Sequence, residues 1–235
     1  MWGRAARVLT AAAVLVGAAA CSHSNDVSSP TTSRPRPTST SVATTRAPHA
    51  FESAVEPVTA TDLSASWRPG CPLPVGQLRL LRVSHWGFDG RVHEGRLVVD
   101  EAVVDDVTAV FQSLFDAQFP IEKMEPVDVY GGSDDASGAA NNTSAFNCRL
   151  ATGGTGWSQH AYGRAIDVNP VQNPYLRGDV VLPVASARFL DRTRSDEGMI
   201  HYDDAAVRAF AAIGWPWGGR WSTLKDYQHF SLTGR

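Results

Sequence analysis

Residues 75–118 read VGQLRLLRV, SHWGFDG, RVHEGRLVV, D, EAVVDDVTAVFQSLFDAQ. The reading of this stretch decides the fold. Residues 75–83 and 90–99 are short Leu/Val-rich runs, and Phe88-Asp89-Gly90 before the second is a turn signal, so two strands are expected. Then Val103, Val104, Val107, Val110, Phe111, Leu114 and Phe115 recur at helical spacing, which predicts an amphipathic helix over 101–118. Pro120 follows as its stop. Two strands and then a helix, with no alternation of strand and helix, imply an α+β domain: helices packed on a small antiparallel sheet.

Folded sequence is expected to begin between Phe51 and Trp67. Downstream, Val127 to Tyr130 reads as a short strand ending at Gly131-Gly132. Residues 134–147 are polar and small, which predicts a long loop. Ala165 to Val168 is a short apolar run. Asp203 to Ile213 is a second expected helix, with Asp203 or Asp204 near its N-cap and Gly214 at its C-cap. Tyr227 to Leu232 reads as a final strand.

The chain has 235 residues, enough for one good-sized domain or two small ones, and its 43% apolar and 19% charged content is that of a globular protein. The formal charge of −3 and the lack of a Lys/Arg-rich run with interleaved aromatics give no support to nucleic-acid binding.

The first twenty residues read as an export signal. Arg4 and Arg7 form a positive start, and Val8 to Ala20 is apolar but too short to span a bilayer comfortably. The signal ends in Ala18-Ala19-Ala20-Cys21, which resembles a bacterial lipoprotein signal with Cys21 as the lipidated residue. Ala18 stands where that pattern favours Leu, and Ala-x-Ala also suits ordinary secretion. The expected location is therefore the outer face of the membrane through a lipid anchor, or the cell wall. Residues 22–50 hold seven Ser, six Thr and four Pro, too little apolar surface to offset ordering. The stretch 21–50 is expected to be a disordered tether, reaching roughly 30 Å as a flexible coil. The folded domain is then 51–235.

If Cys21 is lipidated, Cys71 and Cys148 remain in an oxidising compartment, and a disulfide between them is the simple reading. Two buried thiols, or a metal site using them, are the alternatives. Neither cysteine lies in a C-x-x-C arrangement.

Two segments carry ligand chemistry. Ser158-Gln159-His160-Ala161-Tyr162-Gly163-Arg164-Ala165-Ile166-Asp167 sets an imidazole and a carboxylate seven residues apart. Asp226-Tyr227-Gln228-His229 sets a second imidazole three residues after an acid. Two His and one carboxylate meet the needs of a catalytic zinc that keeps one position for water, and a further acid is needed to take a proton from that water. Spacing does not assemble them: His160 and His229 are 69 positions apart, and seven His in the chain give many chance pairs.

The pattern Ser-x-His-x-x-x-Gly-x-Ala-x-Asp, with a distal Glu/Asp-x-x-His, resembles the VanY-type D-Ala-D-Ala carboxypeptidases and L-Ala-D-Glu peptidases. The resemblance extends from about Leu78 to Phe230. It implies a zinc site on the sheet of a Hedgehog/D-Ala-D-Ala peptidase-like fold, with His160, Asp167 and His229 as Zn2+ ligands, Asp226 as the general base and Ser158 as the Ser of the motif. It also implies that Gly163 and Ala165 let the turn pass close to the metal, and that the substrate is a peptidoglycan stem peptide. Two departures bear on specificity. Many carboxypeptidase members have Glu at the base position and Trp after it, whereas this chain has Asp226-Tyr227; the endopeptidase branch is similar in using Asp. Relatives also carry an Arg in a Ser-Gly-Tyr-Arg-like segment, and this chain has Ala145-Phe146-Asn147-Cys148-Arg149. Arg149 is the candidate by role, for substrate or oxyanion; a structural Arg paired with an acid is the alternative.

Other residues have two readings each. His201 either borders the cleft or is structural. Trp215, Trp217 and Trp221 either line a groove or cover the core beside a tight loop. Asn141-Asn142-Thr143-Ser144 fits glycosylation spacing twice, which the lipoprotein signal makes irrelevant; Ser144 is read as part of a substrate-facing wall. Three functions compete: a zinc peptidase on stem peptides, a non-catalytic cell-wall binding lipoprotein that keeps the fold, and another zinc hydrolase such as an amidase. No protein partner is evident.

Overall fold

A computed structural model describes residues 49–234. The signal segment, Cys21 and nearly all of the tether lie outside them. The described residues belong to one compact unit, and at its start the His49 ring meets Trp86 edge-on at 5.6 Å.

Strand β1 (Ser53–Pro57) leads, by way of a turn-rich segment, to β2 (Leu78–Trp86) and β3 (Val92–Asp100). The three form one antiparallel sheet in the order β1-β2-β3, with Leu78 opposite Asp100 and Trp86 opposite Val92. The two expected strands are therefore present, each displaced by two or three residues. The 53–57 strand was not foreseen; it is exposed throughout, so it has no inward alternation to read.

Helix α1 (Val104–Asp116) buries Val104, Val107, Val110, Phe111, Leu114 and Phe115, the face its spacing predicted. It packs on β2 and on α3 (Ala205–Ala212), whose N-cap is Asp204, its side chain accepting from Val207 N. Between them lie β4 (Lys123–Met124), α2 (Asp134–Ala139), β5 (Asn142–Thr143), β6 (Ala165–Asp167), β7 (Tyr175–Arg177) and β8 (Val180–Leu182). After α3 come β9 (Lys225–Asp226) and β10 (His229–Ser231). The fold is α+β, as expected. Instead of one small antiparallel sheet, however, the described residues form four: β1-β2-β3, β4 with β5 in parallel, β6 with β10 antiparallel, and β8-β7-β9.

Three local expectations are corrected. Residues 127–130 are a 3₁₀ turn, not a strand: Gly131 closes it in the left-handed region, and Asp128 turns its carboxylate back to accept from Ala65 N, Ser66 N and Ser66 Oγ. Residues 134–147 are not a long loop. Ser133 accepts from Ala136 N as an N-cap, Asp134 and Asp135 sit favourably in the first turn, and the short helix α2 forms despite its Ser and Gly. The last strand is shorter than the expected 227–232: only β10 (His229–Ser231) falls in that range, while Tyr227 N bonds to Pro174 O and the Gln228 carbonyl accepts from Val168 N.

The core lies between β2-β3, α1, α3 and the β6–β10 pair. Phe230 of β10 is fully buried and stacked on Phe210 of α3, with ring centroids 4.0 Å apart and planes 11° apart. Replacing Phe230 with Ala is expected to cost about 3–5 kcal/mol; chemical denaturation of both proteins reads this. A second core under the first sheet joins Leu63, Leu73, Leu78, Val98 and Phe146. There Cys71 and Cys148 form a disulfide, which decides the choice the sequence left open.

Candidate metal centre

Four short pieces of backbone set the site. Asp167 bonds both ways to Ser144 (N···O 3.0 and 2.9 Å), β6 pairs with β10 so that Asp167 faces His229, and Trp217 bridges Phe230 on the far side. Segment 144, β6, β10 and segment 217 thus run side by side, with the cluster at their middle.

His160 comes from the 3₁₀ turn Gln159–Tyr162, which Ser158 caps by accepting from His160 N. Gly163 ends this turn at φ +63°, and a Cβ there would stand 2.6 Å from Asp100 N. The glycine is therefore needed for close approach to β3, where Asp100 N donates to Gly163 O; its smallness serves the sheet contact rather than the metal. Asp100 adds two further ties: one carboxylate oxygen accepts from Ala102 N at the start of the helical region, and the other takes Arg164 Nε at 2.7 Å.

His160, Asp167 and His229 are all buried, and one ligand atom from each lies within 4.8 Å of the others. His160 Nδ1 lies 2.5 Å from Ala145 O. A carbonyl only accepts, so Nδ1 carries the hydrogen and Nε2 presents its lone pair inward. That Nε2 is 3.1 Å from Asp167 Oδ2 and 3.3 Å from His229 Nδ1, and His229 Nδ1 is 2.9 Å from Asp167 Oδ1. Ligand atoms around a tetrahedral ion bonded at about 2.0–2.1 Å stand roughly 3.3 Å apart, close to this triangle. Protons alone serve it poorly, since an acceptor nitrogen and two carboxylate oxygens converge with at most one ring hydrogen among neutral imidazoles. The donor set fits a cation.

The electrostatics agree. Burial raises the Asp167 pKa, but His160 and His229 outweigh it and hold the carboxyl well below the usual range. Burial lowers His160, yet the Asp167 charge leaves it raised on balance; for His229 burial prevails and the pKa falls. Asp226 moves the other way. Burial, and then the nearby Asp167 charge, push it well above the ordinary carboxylate range, and its Oδ1 is buried without a partner.

The cluster lies in a cavity of about 790 Å3 that Asp226, Arg149, Ser144 and Ser158 also line. The sequence-predicted residues are thus brought together from three separate stretches, 144–149, 158–167 and 226–229. Arg149 pairs with an acid, its Nε 2.9 Å from Asp134 Oδ1 although its N–H is not aimed along the contact, and its side chain also lines the cavity. Ser144 and Ser158 line it too, although Ser158 also serves as the cap described above. Asn142 is structural, its amide bracketing Glu125 N and Glu125 O. The tryptophans divide. Trp215 and Trp217 are buried in the core, whereas Trp221 lines the cavity with its ring 5.5 Å from that of His229. His201 is not among the lining residues.

Sequence reasoning missed three positions. Ala145 fixes the His160 ring through its carbonyl, a backbone role with no side-chain signal. Tyr175 stands opposite Asp226 across β7–β9 and lines the cavity. Gly218 lies so close to β9 that a Cβ would stand 2.6 Å from Asp226 O and 3.0 Å from Asp226 Cβ. Gly218→Ala should push Asp226 aside and leave the His160–Asp167–His229 cluster in place, so any metal that the cluster holds should be bound as in the parent, read by metal titration of both proteins.

A buried His-Asp-His group that could hold a metal ion shares one cavity with a second buried carboxylate, Asp226. Residues 152–232 match a family model described as D-alanyl-D-alanine carboxypeptidase, and that span holds His160, Asp167, Asp226 and His229. This segment is therefore similar to D-alanyl-D-alanine carboxypeptidases; the match covers less than the 78–230 over which the resemblance was expected. No curated protein and no solved structure matches the chain.

Proposed function

We propose that the chain is a zinc metallopeptidase that hydrolyses peptide bonds in peptidoglycan stem peptides. The observation that carries this reading is the convergence of His160 Nε2, Asp167 and His229 Nδ1 in the cavity that Asp226 lines. His160, Asp167 and His229 would hold the zinc, which when bound would supply Lewis acidity to an attacking water and to the scissile carbonyl. Asp226 takes the proton of the attacking water and returns it to the leaving amine. Its raised pKa suits that task, since a carboxylate made more basic by burial is a better acceptor. Arg149 lines the cavity and supplies positive charge to the developing oxyanion. Ser144 and Ser158 offer polar contacts to the substrate backbone. A binding-only lipoprotein would have no use for a buried carboxylate beside the cluster.

The reading extends to place. Export by residues 1–20, lipidation at Cys21 and a tether over 21–50 would hold the domain outside the membrane, within reach of the wall. Among the described residues no helix is long and apolar enough to cross a membrane.

Digestion of purified muropeptides, followed by mass spectrometry, tests the function. Zinc-loaded protein should release peptide fragments and chelator-treated protein should not. Released glycan with an intact stem would point to an amidase and sink the peptidase reading.

Zinc affinity should also depend on pH. His160 holds its proton to a higher pH than a free imidazole, because Asp167 favours the charged form. Protons therefore compete with zinc, and the affinity should weaken as the pH falls through the raised His160 value and recover above it. Competition with a chromophoric chelator across pH measures this; affinity that is flat across that range would contradict it.

A further inference from the structure

Resting on the peptidase reading, we infer that the Tyr175 hydroxyl is a substrate-binding group that donates a hydrogen bond to a main-chain carbonyl of the bound peptide. The register of the β8-β7-β9 sheet is the first support. Tyr175 stands opposite Leu182 across β7–β8 and opposite Asp226 across β7–β9. Residues directly opposite one another in an antiparallel pair share a face, with Cβ atoms about 4.5–5.5 Å apart. Leu182, Tyr175 and Asp226 therefore form one row on one face of the sheet, and all three line the cavity. The neighbouring row, Val181, Leu176 and Lys225, belongs to the other face. None of its members lines the cavity, and Lys225 donates to Gly219 O at 3.1 Å.

The hydroxyl itself is the second support. Tyr175 is only 7% exposed, and its Oη is buried without a hydrogen-bond partner among the described residues. Its ring belongs to neither apolar core. A hydroxyl taken out of water with nothing to bond costs free energy. If packing were the whole role, phenylalanine would fill the same space at less cost. The oxygen is kept at a cavity wall, one strand away from Asp226. A phenol O–H is a donor, and the acceptor that every residue of a peptide presents is its carbonyl. Leu182 offers no polar group, and Asp226 as the base takes up a proton, so Tyr175 is the donor of this row.

Tyr175→Phe removes the hydroxyl alone and tests the inference on the full chain loaded with zinc. Melting temperature, zinc content, and KM and kcat on a synthetic stem peptide are compared with the parent's. Calorimetric binding of the same peptide to Asp226→Ala protein, with and without Tyr175→Phe, reads affinity with turnover suppressed. The Phe variant should melt no lower than the parent and hold the same zinc. Its KM and peptide Kd should both rise by about 5- to 30-fold, the worth of one hydrogen bond to a buried partner, with kcat within about twofold. Unchanged peptide affinity would overturn the inference, and so would a lower melting temperature, which would make the hydroxyl a structural group. If the parent cleaves the peptide and the Phe variant matches it, the inference alone fails. A parent that holds zinc and cleaves nothing sinks the peptidase reading, and the inference with it.

Discussion

Asp226→Ala should bind zinc as the parent protein does and lose hydrolysis by about 10²–10⁴-fold, the usual worth of a positioned acid–base group. The two halves of this expectation come from different atoms. The ligand triangle is made by His160 Nε2, Asp167 and His229 Nδ1, and Asp226 contributes nothing to it. Asp226 sits on β9, held opposite Tyr175 by register and not by the cluster. Truncation should even ease the site, since it removes a carboxyl whose charged form is disfavoured by burial first and by the Asp167 charge second. The variant is therefore expected to be no less stable than the parent in thermal unfolding. Zinc stoichiometry and steady-state rates on a stem peptide, measured together, check it; undiminished turnover would remove Asp226 as the base.

His160→Ala should lose both zinc and activity. With one ligand gone, two protein donors remain, and affinity should fall by more than the roughly 10–100-fold that removal of a mere supporting partner costs. Part of the effect is structural. Asp167 keeps His229 but loses the imidazole 3.1 Å away, so a buried charge is left less well compensated. Breaking a buried pair in this way can cost about 3–5 kcal/mol. His160→Gln separates the two effects, because it keeps polar bulk beside Asp167 but removes the imidazole. If His160→Gln folds with the parent's melting temperature and still binds zinc at parental affinity, His160 is not a ligand.

Both variants rest on residues that the sequence already singled out, for a definite reason. His160 and Asp167 are seven apart because a capped turn and a short strand separate them, and local structure of this kind is written in local residues: Ser158, Gly163, Ala165. The helix over Val104–Asp116 was legible for a similar reason, its apolar face repeating at the helical period. What could not be read is what depends on distant pairing. His229 reaches Asp167 only because β10 pairs with β6, and a three-residue strand leaves too short a pattern to register. The exposed β1 carries no alternation, and α2 is hidden by Ser and Gly that its N-cap overrides. The Ala145 carbonyl that orients His160 has no side chain to notice. Gly218, by contrast, left a trace in Trp217-Gly218-Gly219, though one that pointed to a tight loop and not to a neighbouring base.

Asp100 gathers the end of β3, the start of the helical region, Gly163 and Arg164 into one knot. The apparatus that holds the ligands is therefore braced from behind, by the sheet. The stretches that line the cavity at 182–185 and 221–224 take no part in that bracing. Scaffold and specificity are separable in this chain: its descendants could change which bond they cut by redrawing two surface loops, with the chemistry carried along unaltered.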